Sequence, residues 1–216
     1  MLNLIPFGEG APLIKTEVIK IDPQEPDGAM IKKAARIIKE GGLVAFPTET
    51  VYGLGADYLN KYAIERLYEV KKRPKNKPFT VHIADLKSLD KLSCEISYSA
   101  ERLIKRFWPG PLTLIFNTKT GKKIGVRMPA NKAALYFISA CKTPIAAPSA
   151  NISGNKPPAT ADEVLLDLDG KIEAILDAGK TDIGVESTVL DISVAPCKII
   201  REGAVKFEDI KETIDE

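Results

Sequence analysis

The sequence predicts a single α/β domain with a mixed β-sheet. Helical and strand patterns alternate along nearly the whole chain, as they do in α/β folds. No internal repeat, low-complexity tract or long linker divides the 216 residues, a length that suits one large domain. The proportions of hydrophobic residues, 44%, and charged residues, 28%, are ordinary for a soluble globular enzyme or binding protein.

In the first half of the chain, short apolar or alternating runs predict strands, and apolar residues three to four positions apart predict helices. Gly41 and Gly42 end the first helix, Pro47 closes a buried strand, and Pro74 lies beyond the end of the second helix. The predicted elements are a strand at Thr16–Ile21, a helix over Ile31–Ile38, a strand at Leu43–Phe46, a helix at Ala63–Lys71 and a strand at Phe79–Ile83.

The second half continues the alternation. Pro109-Gly110-Pro111 ends one helix sharply, and Thr160 caps another. The predicted elements are a helix at Ser99–Trp108, strands at Leu112–Phe116 and Ile124–Arg127 joined by a turn, a helix at Lys132–Ser139, a strand at Pro144–Ala147, a helix from Thr160 to about Leu168, strands at Ala174–Leu176, Thr188–Ile192 and Lys198–Ile200, and a last helix at Phe207–Ile214.

Positive charge is concentrated in residues 71–78, where five cations occur within seven residues although the formal net charge is only +2. A near-neutral chain with such a cluster is expected to hold a compact polyanion there. Pro74 pushes Arg73 toward extended geometry. Side chains two apart on an extended segment face the same way, so we expect Lys71 and Arg73 to converge on one ligand. A solvated basic loop is the alternative interpretation.

Other features exclude several classes of protein. Cys94, Cys141 and Cys197 match neither a zinc module nor a disulfide framework, and small buried apolar side chains explain them. No run approaches the roughly 20 apolar residues that a membrane span needs. Residues 1–10 lack the basic start of a secretory signal. We therefore expect a cytoplasmic location and no membrane contact.

Further candidate segments follow predicted strands, where α/β folds place their ligands. Residues 47–55 combine hydroxyls, a carboxylate and two glycines, and Ser149 and Asn151 lie two apart in a turn-rich segment. His82 is the only histidine, and a structural histidine is the alternative interpretation. Polar and cationic residues also stand at separate strand ends, namely Lys123, Arg127, Glu186, Ser187, Thr188 and Arg201.

This collection contains many cations, hydroxyls and amides, and neither a catalytic triad nor a metal-ligand cluster. It suits nucleotidyl or phosphoryl transfer, where positioning and charge neutralisation do most of the chemistry. We expect arginines and lysines to hold the phosphates, and Mg²⁺ to arrive with the nucleotide rather than to have protein ligands of its own.

Taken in order, the motifs resemble those of the YrdC/Sua5 family. They are Pro47 to Gly55, Lys71-x-Arg73, Trp108-Pro109-Gly110-Pro111-Leu112-Thr113, Ser149-x-Asn151, and Glu186-Ser187-Thr188 through Arg201-Glu202-Gly203-Ala204. The resemblance predicts a catalytic domain at residues 16–205, an N-terminal extension at 1–15 and a C-terminal helix or tail at 206–216. Both a short single-domain member and a truncated two-domain member fit.

The resemblance implies an L-threonylcarbamoyladenylate synthase. Such an enzyme converts L-threonine, bicarbonate (or CO₂) and ATP into threonylcarbamoyl-AMP and pyrophosphate. A separate complex then transfers the threonylcarbamoyl group to adenosine 37 of tRNAs that read codons beginning with A. The fold implied is an open, twisted mixed sheet with flanking helices around a large, positive, concave cleft.

The resemblance also assigns roles to individual residues. The catalytic signature pairs would be Lys71, Arg73, Ser149 and Asn151. ATP would be bound by Arg73, Lys77, Lys123, Ser149, Pro157 and Arg201. Threonine would be bound by Thr50, His82, Arg127, Ala147 and Ser187. Val51 or Ala147 would contact the threonine methyl group, which is worth only about 1–3 kcal/mol in discrimination against serine.

Two alternatives belong to other classes. A non-catalytic module of the same fold could contact tRNA or other double-stranded RNA, but the net charge of +2 and 6% aromatic residues argue against it. The carbamoyl-transfer relatives in hydrogenase maturation carry an acylphosphatase part and cysteine-rich zinc fingers, which this sequence lacks.

Overall fold

The computed structural model describes residues 15–215, and within that range the chain forms one mixed sheet of ten strands with seven helices. The predicted extension at residues 1–15 lies outside the described residues except for Lys15, and so does Glu216. The strands are β1 Glu17–Lys20, β2 Val44–Phe46, β3 Gly53–Asp57, β4 Val81–His82, β5 Leu112–Asn117, β6 Lys123–Arg127, β7 Ile145–Ala146, β8 Ala174–Asp177, β9 Thr188–Asp191 and β10 Lys198–Arg201. The helices are α1 Gly28–Lys39, α2 Lys61–Lys71, α3 Lys87–Lys91, α4 Tyr98–Phe107, α5 Lys132–Cys141, α6 Ala161–Leu168 and α7 Phe207–Asp215.

The sheet is mixed, as the sequence predicts. Its strand order is β1-β8-β2-β3-β7-β4-β6-β5-β9-β10. Four neighbouring pairs are parallel, namely β1–β8, β2–β8, β4–β6 and β5–β9. The other five pairs are antiparallel. Segments that are far apart in sequence therefore become neighbours in the middle of the sheet.

Apart from the short helix α3, the helices form where apolar spacing predicts them, and several have a side-chain cap at their first turn. Asp27 accepts hydrogen bonds from the first turn of α1, and the apolar face of that helix buries Ile31 and Ile38. Each such side chain contributes about 1.5–3 kcal/mol when it is fully buried. Ser97 caps α4 and Thr160 caps α6 through their side-chain oxygens. Three apolar clusters join these helices to the sheet.

Two elements differ from the sequence prediction. Residues 47–55 are expected to be irregular, but Gly53–Asp57 forms the interior strand β3. Side chains on its glycines would meet neighbours, since a Cβ on Gly53 would lie 3.3 Å from the Phe46 ring and one on Gly55 would lie 3.1 Å from the Ile145 side chain. The strand is thus glycine-rich because its neighbours leave no room for larger side chains. The alternation of apolar and polar residues, which is used to predict strands, does not reveal such a strand. The five-residue helix α3 is too short to show helical periodicity.

The burial expected of the cysteines holds for two of the three, since Cys197 is only half-buried. Cys94, Cys141 and Cys197 are free thiols, and the first two are buried. None of the helices between residues 15 and 215 has the length and apolar character required to cross a bilayer.

Candidate active site

A concave pocket opens near the middle of the sheet, where strand ends and loops from six parts of the chain meet. It has a cavity volume of about 90 Å³, several times the roughly 10–15 Å³ that a single water requires, so it can admit a ligand larger than solvent. Three arginines line it together with one carboxylate, that of Glu186. The predicted site residues that line it are Thr50, Arg73, His82, Arg127, Ala147, Ser149, Ser187 and Arg201.

Strand register explains why these residues meet. Strand β4 pairs in parallel with β6, and His82 lies directly opposite Arg127. Ser149, after the end of β7, forms a bridge with Gly53 at the start of β3. The amide of Ala147 donates to the carbonyl of Thr80 at 2.9 Å. The pocket therefore lies where the ends of four adjacent strands come together.

Arg127 is held by a buried ion pair. Its Nη2 lies 2.8 Å from Glu49 Oε2, and both side chains are about 5% exposed, at 4% and 6%. Its Nε donates to the carbonyl of Gly110 at 3.2 Å. Burial lowers the pKa of Arg127 from its usual value, although the Glu49 carboxylate opposes that shift, and an arginine remains protonated in either case. The result is a fixed guanidinium at the wall of the pocket.

His82 is neutral and has a free ring nitrogen. It is fully buried, and burial together with the neighbouring charge of Arg127 lowers its pKa well below the ordinary value of 6.5. Its ring packs edge-on against Phe46, with 6.0 Å between ring centroids. Among the described residues nothing forms a hydrogen bond with its Nδ1. Because buried polar atoms are normally satisfied, a ligand in the pocket is expected to meet this nitrogen.

Arg73 is positioned by its own loop. Its Nε donates to the carbonyl of Lys77 at 3.0 Å, and its Nη2 donates to the carbonyl of Pro78 at 3.1 Å. The guanidinium also lies over the ring of Phe79, 5.4 Å from the centroid. Burial lowers the pKa of Arg73. The basic segment thus turns back on itself to hold one arginine toward the pocket.

Lys71 does not converge with Arg73 on one surface, so the expected extended geometry is wrong. Lys71 ends α2, and Lys72 adopts the left-handed conformation that terminates the helix. The Lys71 side chain is buried, and its Nζ donates to the carbonyl of Ser149 at 2.5 Å and to that of Asn151 at 2.7 Å. Burial, with a smaller effect from Arg73, lowers the pKa of Lys71 to about 8. The helix continues up to Lys71 because Pro74 restricts only the residue next to it.

The Ser149-x-Asn151 pair forms a hydrogen-bonded unit. Ser149 Oγ donates to Asn151 Oδ1 at 2.7 Å, and Lys71 Nζ lies 3.3 Å from the same oxygen. Ser149 lines the pocket, while Asn151 and Lys71 lie behind it. Since the hydroxyl proton of Ser149 is used within the unit, its oxygen offers lone pairs to the pocket.

A second polar unit joins the start of β9 to the end of β10. Arg201 Nη1 pairs with Glu186 Oε1 at 2.6 Å, and its Nη2 donates to the carbonyl of Ser187 at 2.9 Å. The hydroxyls of Ser187 and Thr113 are 2.9 Å apart. On the other side of the pocket, the hydroxyls of Thr48 and Thr50 are also 2.9 Å apart. Each predicted hydroxyl is therefore oriented by a neighbour.

Three predicted ATP ligands lie away from the pocket lining, namely Lys77, Lys123 and Pro157. Lys123 Nζ contacts Asp191 Oδ2 at 3.1 Å, and the lysine side chain is 48% exposed. Lys77 is exposed, and its carbonyl accepts the bond from Arg73. Their roles stay predictions.

Sequence reasoning did not assign roles to the two carboxylates. Glu49 lies within the candidate segment 47–55, and Glu186 lies within another candidate motif, but neither appears among the predicted ligands. The signal that could have found them is charge balance, because a buried arginine requires a counter-charge. Which carboxylate supplies it depends on the tertiary structure.

A family model for Sua5, YciO and YrdC proteins, described as "Telomere recombination", matches residues 36–203, more than half of the chain. The chain belongs to the Sua5/YciO/YrdC family.

Two curated relatives of this Sua5/YciO/YrdC protein are named threonylcarbamoyl-AMP synthase. The Pyrococcus abyssi relative is 49% identical over 195 residues, which cover 86% of this chain and 57% of the relative. The Bacillus subtilis relative is 43% identical over 211 residues, which cover 93% and 59%. The chain thus spans less than two thirds of the length of these two relatives.

Solved Sua5/YciO/YrdC structures share the fold. The crystal structure of P. abyssi Sua5 complexed with L-threonine has a TM-score of 0.89 and 46% identity, covering 92% of this chain and 61% of that one. The crystal structure of Escherichia coli YciO has a TM-score of 0.81 and 26% identity, covering 90% and 99%. The family assignment and the mixed α/β fold predicted from sequence are confirmed.

Proposed function

We propose that this chain is an L-threonylcarbamoyladenylate synthase. It would convert L-threonine, bicarbonate (or CO₂) and ATP into threonylcarbamoyl-AMP and pyrophosphate. The observation that supports this most strongly is the content of one pocket. All five residues predicted to bind threonine line it, together with Arg73, Ser149 and Arg201 from the predicted ATP set. The names of the two relatives and the threonine complex of P. abyssi Sua5 agree with it.

At the amino-acid end, Arg127 would bind the threonine carboxylate. A guanidinium can make two parallel hydrogen bonds to a carboxylate, and Glu49 already fixes the position of this one. The neutral His82 can accept or donate one hydrogen bond without adding charge. Val51 and Ala147, which also line the pocket, offer apolar surface for the threonine methyl group.

At the nucleotide end, Arg73 and Arg201 would stabilise the phosphates. In the reaction, the threonine amine first bonds to the carbon of CO₂ and loses a proton to give N-carboxythreonine, with water released when bicarbonate is the source. A carbamate oxygen of N-carboxythreonine then forms a bond to the α-phosphorus of ATP, and the bond to the bridging oxygen of pyrophosphate breaks. Negative charge then spreads over the non-bridging oxygens. Positively charged groups that are already in position stabilise such a transition state without reorganisation.

Magnesium would enter with ATP. Within residues 15–215 there is no group of three or more His, Cys, Asp or Glu side chains that could hold a metal ion. Glu186 lines the pocket but pairs with Arg201. Magnesium commonly binds through one or two carboxylates plus substrate phosphates. This donor set fits an ion held mainly by the nucleotide, where it would neutralise phosphate charge.

The other parts of the proposal concern the cellular setting. The product would pass to a separate threonylcarbamoyl-transfer complex that modifies adenosine 37 of tRNA, in the cytoplasm. A direct contact with tRNA or other double-stranded RNA would use the basic segment 71–78. The catalytic domain would occupy residues 16–205.

Pyrophosphate release tests this proposal. Purified protein with Mg²⁺ and ATP should release pyrophosphate only when threonine and bicarbonate are both present, and omission of either one is the control. Release that ignores threonine would refute the assignment. Binding to duplex RNA with no turnover would favour the non-catalytic module.

A further inference from the structure

Asp167, on α6, contacts the segment that carries Ser149. Its Oδ2 accepts a hydrogen bond from the backbone amide of Ile152 at 2.8 Å. The side-chain nitrogen of Asn155 donates to Oδ1 at 2.8 Å and to Oδ2 at 3.0 Å. Neither Asp167 nor Asn155 lines the pocket. The Asp167 carboxylate therefore contacts the segment that carries Ser149 without itself lining the pocket.

The contacts continue from Asn155 to the pocket. Asn151 Nδ2 donates to the carbonyl of Asn155 at 2.7 Å, and Asn151 Oδ1 accepts from Ser149 Oγ at 2.7 Å. The orientation of this amide is determined at both ends, because the Lys71 ammonium can only donate and a carbonyl can only accept. A change at Asp167 can thus reach Ser149 through two asparagines.

Residues 149–155 form no helix or strand, so these side-chain contacts add to the backbone contacts of Ser149 with Gly53 and of Ala150 with Tyr52. Gly154 adopts a positive φ of 100°, a conformation that favours glycine. Two helices add side-chain contacts to the segment: α2 through Lys71 and α6 through Asp167. Lys71 belongs to the signature pairs, whereas Asp167 lies outside every motif considered above.

We propose that Asp167 is a positioning residue for the nucleotide subsite. By holding Asn155 and the amide of Ile152, it sets the conformation of residues 149–155 and with it the place of Ser149 Oγ. The inference rests on the proposed function, which supplies ATP as the ligand. A purely structural helix-to-loop contact would instead lower stability and affect both substrates equally.

Asp167→Asn is the first test, with steady-state kinetics in ATP and in threonine. The variant places an amide against the amide of Asn155, and loss of a charge-assisted hydrogen bond typically corresponds to about a tenfold effect or more. We expect the KM for ATP to rise about tenfold and the KM for threonine to change less than twofold. Asn155→Ala, at an exposed position, should produce the same split and does not depend on Asp167→Asn folding.

A swap and a matched control complete the design. The double variant D167N/N155D restores one donor facing one acceptor and should recover most of the ATP affinity measured by calorimetry. Asp169→Asn removes the same charge from an exposed position just beyond the same helix and should leave both KM values unchanged. Equal KM changes for ATP and threonine, an unchanged KM for ATP, or no recovery in the swap would overturn the inference. Wild-type protein that binds no ATP would overturn the proposed function as well, so the two failures are distinguishable.

Discussion

At the residue scale, the Glu49–Arg127 ion pair is the feature on which the proposed threonine subsite most depends. Both side chains are almost fully buried, and among the described residues neither Glu49 oxygen nor Arg127 Nη2 forms an aligned hydrogen bond, so the 2.8 Å contact between them is an ion pair alone. Burying an ion pair has a large desolvation penalty, so its presence here suggests a functional role rather than added stability. Glu49 contacts Nη2 at one edge of the guanidinium, and Arg127 also lines the pocket.

Glu49→Gln should weaken threonine binding selectively. The change leaves Arg127 without its counter-charge, and removing one partner of a buried pair typically costs about 3–5 kcal/mol in stability. We expect the KM for threonine to rise at least tenfold, with a smaller change for ATP, measured by pyrophosphate release. Glu173→Gln is the matched control, because Glu173 pairs with Arg66 at 2.6 Å outside the pocket lining. Equal threonine KM values in wild type and Glu49→Gln would contradict this role.

Arg73→Ala should abolish most of the turnover while the fold persists. Arg73 brings a preorganised positive charge to the pocket, and loss of one such contact in the transition state corresponds to about 3 kcal/mol, or more than a hundredfold in kcat/KM. Circular dichroism would show whether the fold is retained. Arg73→Lys keeps the charge but loses the planar fork, so its activity should be intermediate. Wild-type turnover in Arg73→Ala would refute the assignment.

At the scale of elements, the site consists of strand ends and the short segments that follow them. Strand β4 contributes only two residues, yet its pairing with β6 on one side and β7 on the other aligns His82 with Arg127 and Ile145. The segment that enters β9 lies against the chain that leaves β10, and the amide of Ala204 donates to the carbonyl of Glu186 at 3.0 Å. Close backbone approach at that point is possible because residue 203 is glycine.

Gly203→Ala should disturb the Glu186–Thr188 segment. A Cβ at this position would lie under 3.0 Å from backbone atoms of Glu186, Ser187 and Thr188, which cannot rotate away as a side chain can. Overpacking of this kind typically costs about 1–3 kcal/mol. We expect a lower melting temperature and a reduced kcat/KM, because a shift of Ser187 would also displace Arg201, which donates hydrogen bonds to the Ser187 carbonyl.

Gly125→Ala provides the control for that prediction. Its added Cβ would lie 3.6 Å or more from its neighbours, which is ordinary contact. This variant should keep wild-type stability and activity within experimental error. If Gly203→Ala has the same stability and activity as Gly125→Ala, residues 186–188 can move to accommodate the added methyl group, and the prediction is wrong.

At the scale of the whole molecule, the buried and neutral His82 makes folding stability depend on pH. Its pKa in the folded protein is well below 6.5 because of burial and the charge of Arg127, whereas the unfolded chain keeps a histidine pKa near 6.5. As the pH falls below that value, the unfolded state takes up a proton that the folded state does not. The free energy of unfolding should therefore decrease on acidification.

Urea denaturation between pH 7.5 and 5.5 measures this effect. The slope below about pH 6.5 should approach 1.4 kcal/mol per pH unit for one such group, and most carboxylates titrate at lower pH. His82→Gln should remove the dependence in this window. An unchanged slope in that variant would assign the effect to other groups.

The sequence by itself determined the elements whose signals are local. The apolar spacing of Ile31 and Ile38, the capping residue Thr160 and the breaks at Pro47 and Pro109 each act within a few residues, so helices and strands were predictable there. The motif segments likewise identified most residues that line the pocket. Family membership follows from the same motifs and is confirmed.

Only the tertiary structure decided how those residues pair. Lys71 meets Ser149 across 78 positions of the chain, and Arg127 meets Glu49 through the loop before β3. Strand β3 has glycine at positions 53 and 55 because Phe46 and Ile145 fill the space that larger side chains would need. A local pattern cannot report such facts, since burial of a charge is permitted by partners that arrive from distant segments and not by the neighbours of a residue in sequence.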